Sequence, residues 1–140
     1  MKVKTVWIVV SFVVMIPCIL TAQLDFFKED AVKAANHWLS MVDAAKYSKS
    51  WYEASTFFKS KMSSEKWEQM VRDMREPLGP CTSRKLQLSH HVTTLPDAPE
   101  GEYYIMKYKT SFEKKKSVIE TVTMMLDEDA RWRVSGYYIK

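Results

Sequence analysis

Three glycines, three histidines and two cysteines are all that the 140 residues contain of those types. Without a glycine-rich run, no backbone loop wraps a phosphate, and no Ser stands in a nucleophile elbow. The histidines and cysteines lack metal-ligand spacing. His90 and His91 are adjacent, so a strand sends their rings to opposite faces and they cannot share a metal. No metal and no cofactor is expected. Lys and Arg form no long stripe, which removes the electrostatic footprint of nucleic-acid binding. No internal repeat, low-complexity tract or interdomain linker interrupts the chain.

Apolar and aromatic residues are plentiful. Hydrophobic residues make up 46%, with five Trp, seven Tyr and six Phe, enough for one folded domain with a substantial core. The one long apolar run, Val6 to Leu20, follows Lys2 and Lys4. A basic start and roughly 15 apolar residues have the form of a secretory signal, and the run is short for a membrane span of about 20. Residues 1–22 are therefore read as a signal peptide cut between Ala22 and Gln23, with 23–140 as the domain. The alternatives are an uncleaved anchor and, for Cys18, a lipoprotein signal, although Ile16 and Pro17 are not the small residues that processing prefers. Export to the periplasm is the expected localisation. Taking Lys2 and Lys4 from the 21 basic residues leaves 19 against 17 acidic, a charge of +2. Cys81 would then be the lone cysteine, read as a small buried hydrophobe after Pro80.

The most informative stretch is Ser117 to Asp127. Val118, Val122, Met124 and Leu126 point one way, while Ile119, Thr121, Thr123 and Met125 point the other, the alternation of a strand. Glu120 breaks the apolar face. Three further strands are expected: Thr82 to Leu95, Glu102 to Phe112 and Arg131 to Lys140. On the first, Arg84, Leu86, Leu88, His90 and Val92 share a face; on the second, Tyr104, Met106, Tyr108 and Phe112; on the last, Trp132, Val134, Gly136 and Tyr138. Leu95 to Gly101 is turn chemistry. The three lysines Lys114 to Lys116 read as a solvated hairpin end.

Ahead of the strands the period changes. Phe27, Ala31, Ala34, Trp38, Met41 and Ala45 form a helical stripe, with His37 on the polar side. Ser50 and Glu53 have capping-box spacing, which predicts a second helix with Trp51, Ala54, Phe57 and Phe58 inward. Ser63-Ser64-Glu65 opens a third, with Trp67, Met70, Val71 and Met74 on one side, ended by Pro77 and Gly79-Pro80. Three amphipathic helices on a curved four-stranded antiparallel sheet make an α+β fold.

The candidate pocket or buried polar cluster is Glu120 with Arg84, His90, Tyr104 and Tyr108, all on the apolar parity. In one reading Glu120 is paired with Arg84, Arg72 or Arg75 and is scaffold. In the other it lines a cavity beside Tyr104 or Tyr108 and acts as a base. The outer sheet face, with Ile119, Met125, Tyr137 and Ile139, is a candidate homodimer surface.

A set of ordered short motifs carries a resemblance. Trp38-Leu39, Val42-Asp43, Ser50-Trp51, Arg75 to Gly79, Ser83-Arg84, Pro99 to Tyr103, Glu120 to Thr123 and Trp132 to Ile139 resemble the bacterial family catalogued as domain of unknown function 4019. The resemblance spans about Ala34 to Lys140. It implies a small exported protein without an established activity and a layout similar to the nuclear transport factor 2-like, or cystatin-like, cone. Two departures stand out: Ala45 and Ala130 occupy positions where the family pattern has Gly. The expected function is a non-enzymatic binding or structural module of the cell envelope, its partner a protein or a small apolar ligand. The alternative is a cone-fold enzyme resembling ketosteroid isomerase, with Glu120 as general base and Tyr104 or Tyr108 as oxyanion donor.

Overall fold

The computed structural model describes residues 17–140; residues 1–16, most of the expected signal segment, lie outside the described residues. Helix α1 runs Pro17–Asp43, followed by α2 (Tyr47–Tyr52), α3 (Thr56–Lys61), α4 (Ser64–Arg75) and a 3-10 turn at Glu76–Leu78. Strands β1 (Cys81–Val92), β2 (Tyr103–Phe112), β3 (Val118–Leu126) and β4 (Trp132–Ile139) complete the chain. They form one antiparallel sheet in the order β1-β2-β3-β4, an unbroken meander. The α+β expectation holds, with four α-helices rather than three among the described residues, and the expected signal helix lies largely outside them. No described helix is long and apolar enough to cross a membrane.

The buried stripe of α1 is Ala31, Ala35, Trp38, Leu39, Met41 and Val42. It is rotated slightly from the expected one: Ala34 is only partly covered, and Ala45 lies beyond the helix in a turn with φ +55°. The expected second helix is two short ones, because Ser50 does not cap. It sits fully buried inside α2, where its hydroxyl donates to the Tyr47 carbonyl (2.7 Å) and accepts from the Trp67 indole (2.9 Å). Its carbonyl accepts from the Trp38 indole at 2.8 Å. Two buried indoles thus claim the residue that local spacing assigned to a helix start. The caps are Ser55 for α3, accepting from the Phe58 N–H at 3.1 Å, and Ser63 for α4.

All helices lie on the sheet face that carries Tyr108, Glu120, Val122 and Met124. Trp38 packs against Trp67 and Tyr137 with ring centroids 5.6 and 5.3 Å apart. Two bulges decide what reaches this face. Leu86 pairs with Tyr108 but Leu88 pairs with Lys107, so Gln87 is an extra residue in β1. Thr123 pairs with Gly136 but Met124 pairs with Val134, so Ser135 is extra in β4. Each extra residue inverts the parity of what lies beyond it. His90, Leu88 and Tyr138 therefore face outward, contrary to the alternation read from the sequence. Ser89 and Tyr137 turn inward, and Ile139 packs on the core. Tyr137 and Ile139 are thus lost from the expected outer surface.

Candidate functional site

Glu120 is fully buried at the centre of the sheet, and its two oxygens are filled with donors. Oε2 accepts from Arg84 Nε at 2.6 Å and from the Thr110 hydroxyl at 2.5 Å. Oε1 accepts from the Tyr137 hydroxyl at 2.6 Å and from an Arg84 terminal nitrogen at 3.2 Å. Arg75, from the end of α4, brings a second guanidinium to 3.9 Å. Each partner arrives for a structural reason. Thr110 and Tyr108 share the inward parity of β2, Arg84 precedes the Gln87 bulge, and Tyr137 follows the Ser135 bulge.

The network extends to the last residue of α1. Asp43 Oδ2 accepts from Arg84 at 2.7 Å, and Oδ1 accepts from Arg75 at 2.7 Å and Arg84 at 3.0 Å. Arg75 also donates to the Tyr137 hydroxyl at 3.4 Å and lies over the Phe112 ring at 4.7 Å. Two guanidiniums therefore face two carboxylates, and the cluster is neutral as a set. That balance matters, because a buried charge left unpaired costs several kcal/mol, roughly 3–5 when one partner is removed.

The electrostatics follow from this arrangement. Burial alone would raise the Asp43 carboxyl, but hydrogen bonds and charge from Arg84 and Arg75 outweigh it and hold it below the usual carboxylate range. Burial, reinforced by the Glu120 charge, pushes the Tyr137 hydroxyl well above its ordinary value, so it remains a donor. Burial pushes Tyr108 up to about 12, with Arg84 opposing and Glu120 adding. Burial also raises the half-buried Cys81 thiol, with the Arg84 charge opposing.

Of the five residues singled out from the sequence, Glu120 and Arg84 meet directly. Tyr108 lies beside them, its hydroxyl donating to Asn36 at 3.2 Å. Tyr104 pairs with Met124, four positions along β3 from Glu120, or about 13 Å at strand spacing. It stacks on Trp132 and His91, each at 5.2 Å. His90 is exposed on the other face and does not join the cluster. Its neighbour His91 bonds Glu102 instead. Thr110, Tyr137 and Asp43 were not singled out. Thr110 shares Tyr108's parity, and Gly136 inside a strand is a bulge signal that would have recovered Tyr137. Asp43 had no such signal.

A cleft of about 340 Å³ opens on the network, lined by Asn36, Ser40, Asp43, Arg84, Leu86 and Tyr108. Glu120 does not line it. What faces the cleft is a neutral phenol, an amide and one edge of an arginine–carboxylate pair, which suits hydrogen bonding rather than proton abstraction. Among the described residues no group of His, Cys, Asp and Glu is placed to hold a metal ion.

No curated protein and no solved structure matches the chain. A family model described as Protein of unknown function (DUF4019) matches residues 34–137. That span runs from α1 to β4 and includes every member of the Glu120 network. The chain belongs to this family of proteins of unknown function.

Proposed function

We propose that this is an exported, non-enzymatic module of the cell envelope whose Glu120 network is scaffold. The observation that carries the reading is the complete coordination of Glu120: Arg84 Nε at 2.6 Å, Thr110 at 2.5 Å and Tyr137 at 2.6 Å. A general base needs a carboxylate that substrate can reach and that no arginine holds. Glu120 is wholly buried, and Tyr104 lies too far along the sheet to act as its oxyanion partner. The helix-on-meander layout is compatible with the cone architecture that the family resemblance implies, and fold analogy by itself assigns no chemistry.

Export rests on the basic start and apolar run before α1. The described side chains of α1 that pack on the core begin at Phe27, beyond the expected cut between Ala22 and Gln23. Two measurements test the reading. Expressed in a bacterial host, the protein should be released by osmotic shock with an intact mass lacking residues 1–22; a full-length mass retained in the cytoplasm argues against export. Incubated in D2O with an activated ketone, it should exchange no α-proton above buffer. Exchange abolished by Glu120→Gln would restore the general-base alternative.

A further inference from the structure

We infer that the uncovered face of the sheet docks on an anionic phospholipid surface. Among the described residues the helices cover only one side. On the other, two neighbouring cross-strand rows run from β1 to the chain end. In the first, Lys85 stands opposite Lys109, Lys109 opposite Ile119, and Ile119 exchanges backbone hydrogen bonds with Lys140. In the second, Leu88 stands opposite Lys107, Lys107 opposite Thr121, and Thr121 opposite Tyr138. Neither row carries an acidic side chain. Like charges directly opposite each other on a sheet are destabilising. Folding alone therefore gives no reason for Lys85 against Lys109, with Lys107 and Lys140 alongside.

The lysines are interleaved with exposed apolar side chains: Leu88 is 48% and Tyr138 51% accessible. With Ile119, Lys107 and Lys140 they line a depression of about 560 Å³. Thr121 is at its floor, with a hydroxyl that has no hydrogen-bond partner among the described residues. The exposed hairpin tip, with Glu113 and Lys114 to Lys116, lies past the Lys109 row.

Charge and shape select the occupant. A second copy laid on this face would bring the same lysines together. A nucleic acid would answer the charge but leave the Leu88 and Ile119 side chains unmatched. A bilayer with acidic headgroups satisfies both. Lysine stems and a tyrosine ring sit at the headgroup level, with ammoniums at the phosphates and apolar atoms below.

The test is residue-resolved lysine acetylation of the full chain, read by mass spectrometry. Vesicles of phosphatidylcholine alone are compared with vesicles holding an equal amount of phosphatidylglycerol. Lys2 and Lys4 ahead of the apolar N-terminal run also favour the acidic vesicles, so the quantity read is the difference between sheet-face and helix-side lysines and not binding as such. We expect Lys85, Lys107, Lys109 and Lys140 to lose reactivity several-fold on acidic vesicles only, while the exposed helix-side Lys33, Lys46 and Lys66 are unchanged. Lys107→Glu with Lys140→Glu should raise the lipid needed to protect Lys85 and Lys109 by roughly 25-fold or more, about fivefold per lysine. Lys33→Glu with Lys66→Glu should not. Three results overturn the proposal: no protection, equal protection of helix-side lysines, or protection that grows with protein concentration without lipid.

Discussion

Arg84 donates through all three of its nitrogens, to Glu120 on one side and Asp43 on the other. Removing Glu120 alone leaves two guanidiniums facing one carboxylate. Glu120→Ala should therefore cost about 3–5 kcal/mol in urea unfolding. Adding Arg84→Met restores charge balance, since Arg75 keeps Asp43 at 2.7 Å, and should recover more than half of that loss. Full additivity of the two substitutions would mean that the pair is not coupled. The sequence announced Glu120 because a carboxylate interrupted an apolar parity, and it offered Arg84 as a partner on the same logic. It could not announce Asp43, a polar residue where a helix ends, because nothing local distinguishes a solvated aspartate from one held by two arginines across the fold.

At the level of elements, the strands were legible to within a residue except at the end of β1, which stops at Val92 rather than Leu95. Alternation encodes a strand well. It does not encode an extra residue: Gln87 has no bulge signal, so every assignment beyond it was inverted, His90 among them. The helical hairpins were harder for a different reason. Ser50 obeys a local capping rule, but the Trp67 and Trp38 indoles impose a tertiary demand that overrides it. Two alanines land on demanding backbone. Ala45 after α1 and Ala130 before β4 have φ of +55° and +59°. Left-handed geometry costs a residue with a Cβ about 1–2 kcal/mol, and glycine returns part of that as chain entropy. Ala45→Gly and Ala130→Gly should each stabilise the fold by about 1 kcal/mol, read as a higher urea midpoint at unchanged slope. A lower midpoint for either would mean the turn is already relaxed.

For the whole molecule, titration bounds the stable range from both sides. Asp43 is depressed by Arg84 and Arg75 despite its burial, and Asp127 is depressed by the Thr56 and Glu128 amides against burial of its own. A lowered carboxyl favours the fold above its unfolded value, and that contribution fades as pH falls through the folded value. Loss should begin near pH 4 and deepen below it. Tyr137 and Tyr108 act in the opposite sense, since both are raised, Tyr108 to about 12. Their contribution is complete below the ordinary phenol value of about 10 and is lost as pH climbs toward the folded values. Thermal midpoints should be flat between about pH 5 and 9 and fall on either side. Asp43→Asn should flatten the acid limb, and an unchanged limb would place the sensitivity elsewhere.

The bonds that close the Glu120 cluster join residues 36, 41 and 62 positions apart, whereas the meander is made of adjacent hairpins. Nothing short of the assembled helices and all four strands brings both guanidiniums to both carboxylates. Closing such long-range contacts carries a loop-closure cost, and the expected consequence is a clasp that closes late, after the main barrier to folding has been crossed. Contacts absent from the transition state govern how fast a protein comes apart rather than how fast it forms. In stopped-flow experiments, weakening the clasp with Glu120→Gln should raise the unfolding rate extrapolated to zero denaturant by the whole of its stability loss, at unchanged slope, and leave refolding almost untouched. Such a protein owes its lifetime, more than its speed of assembly, to four charged side chains.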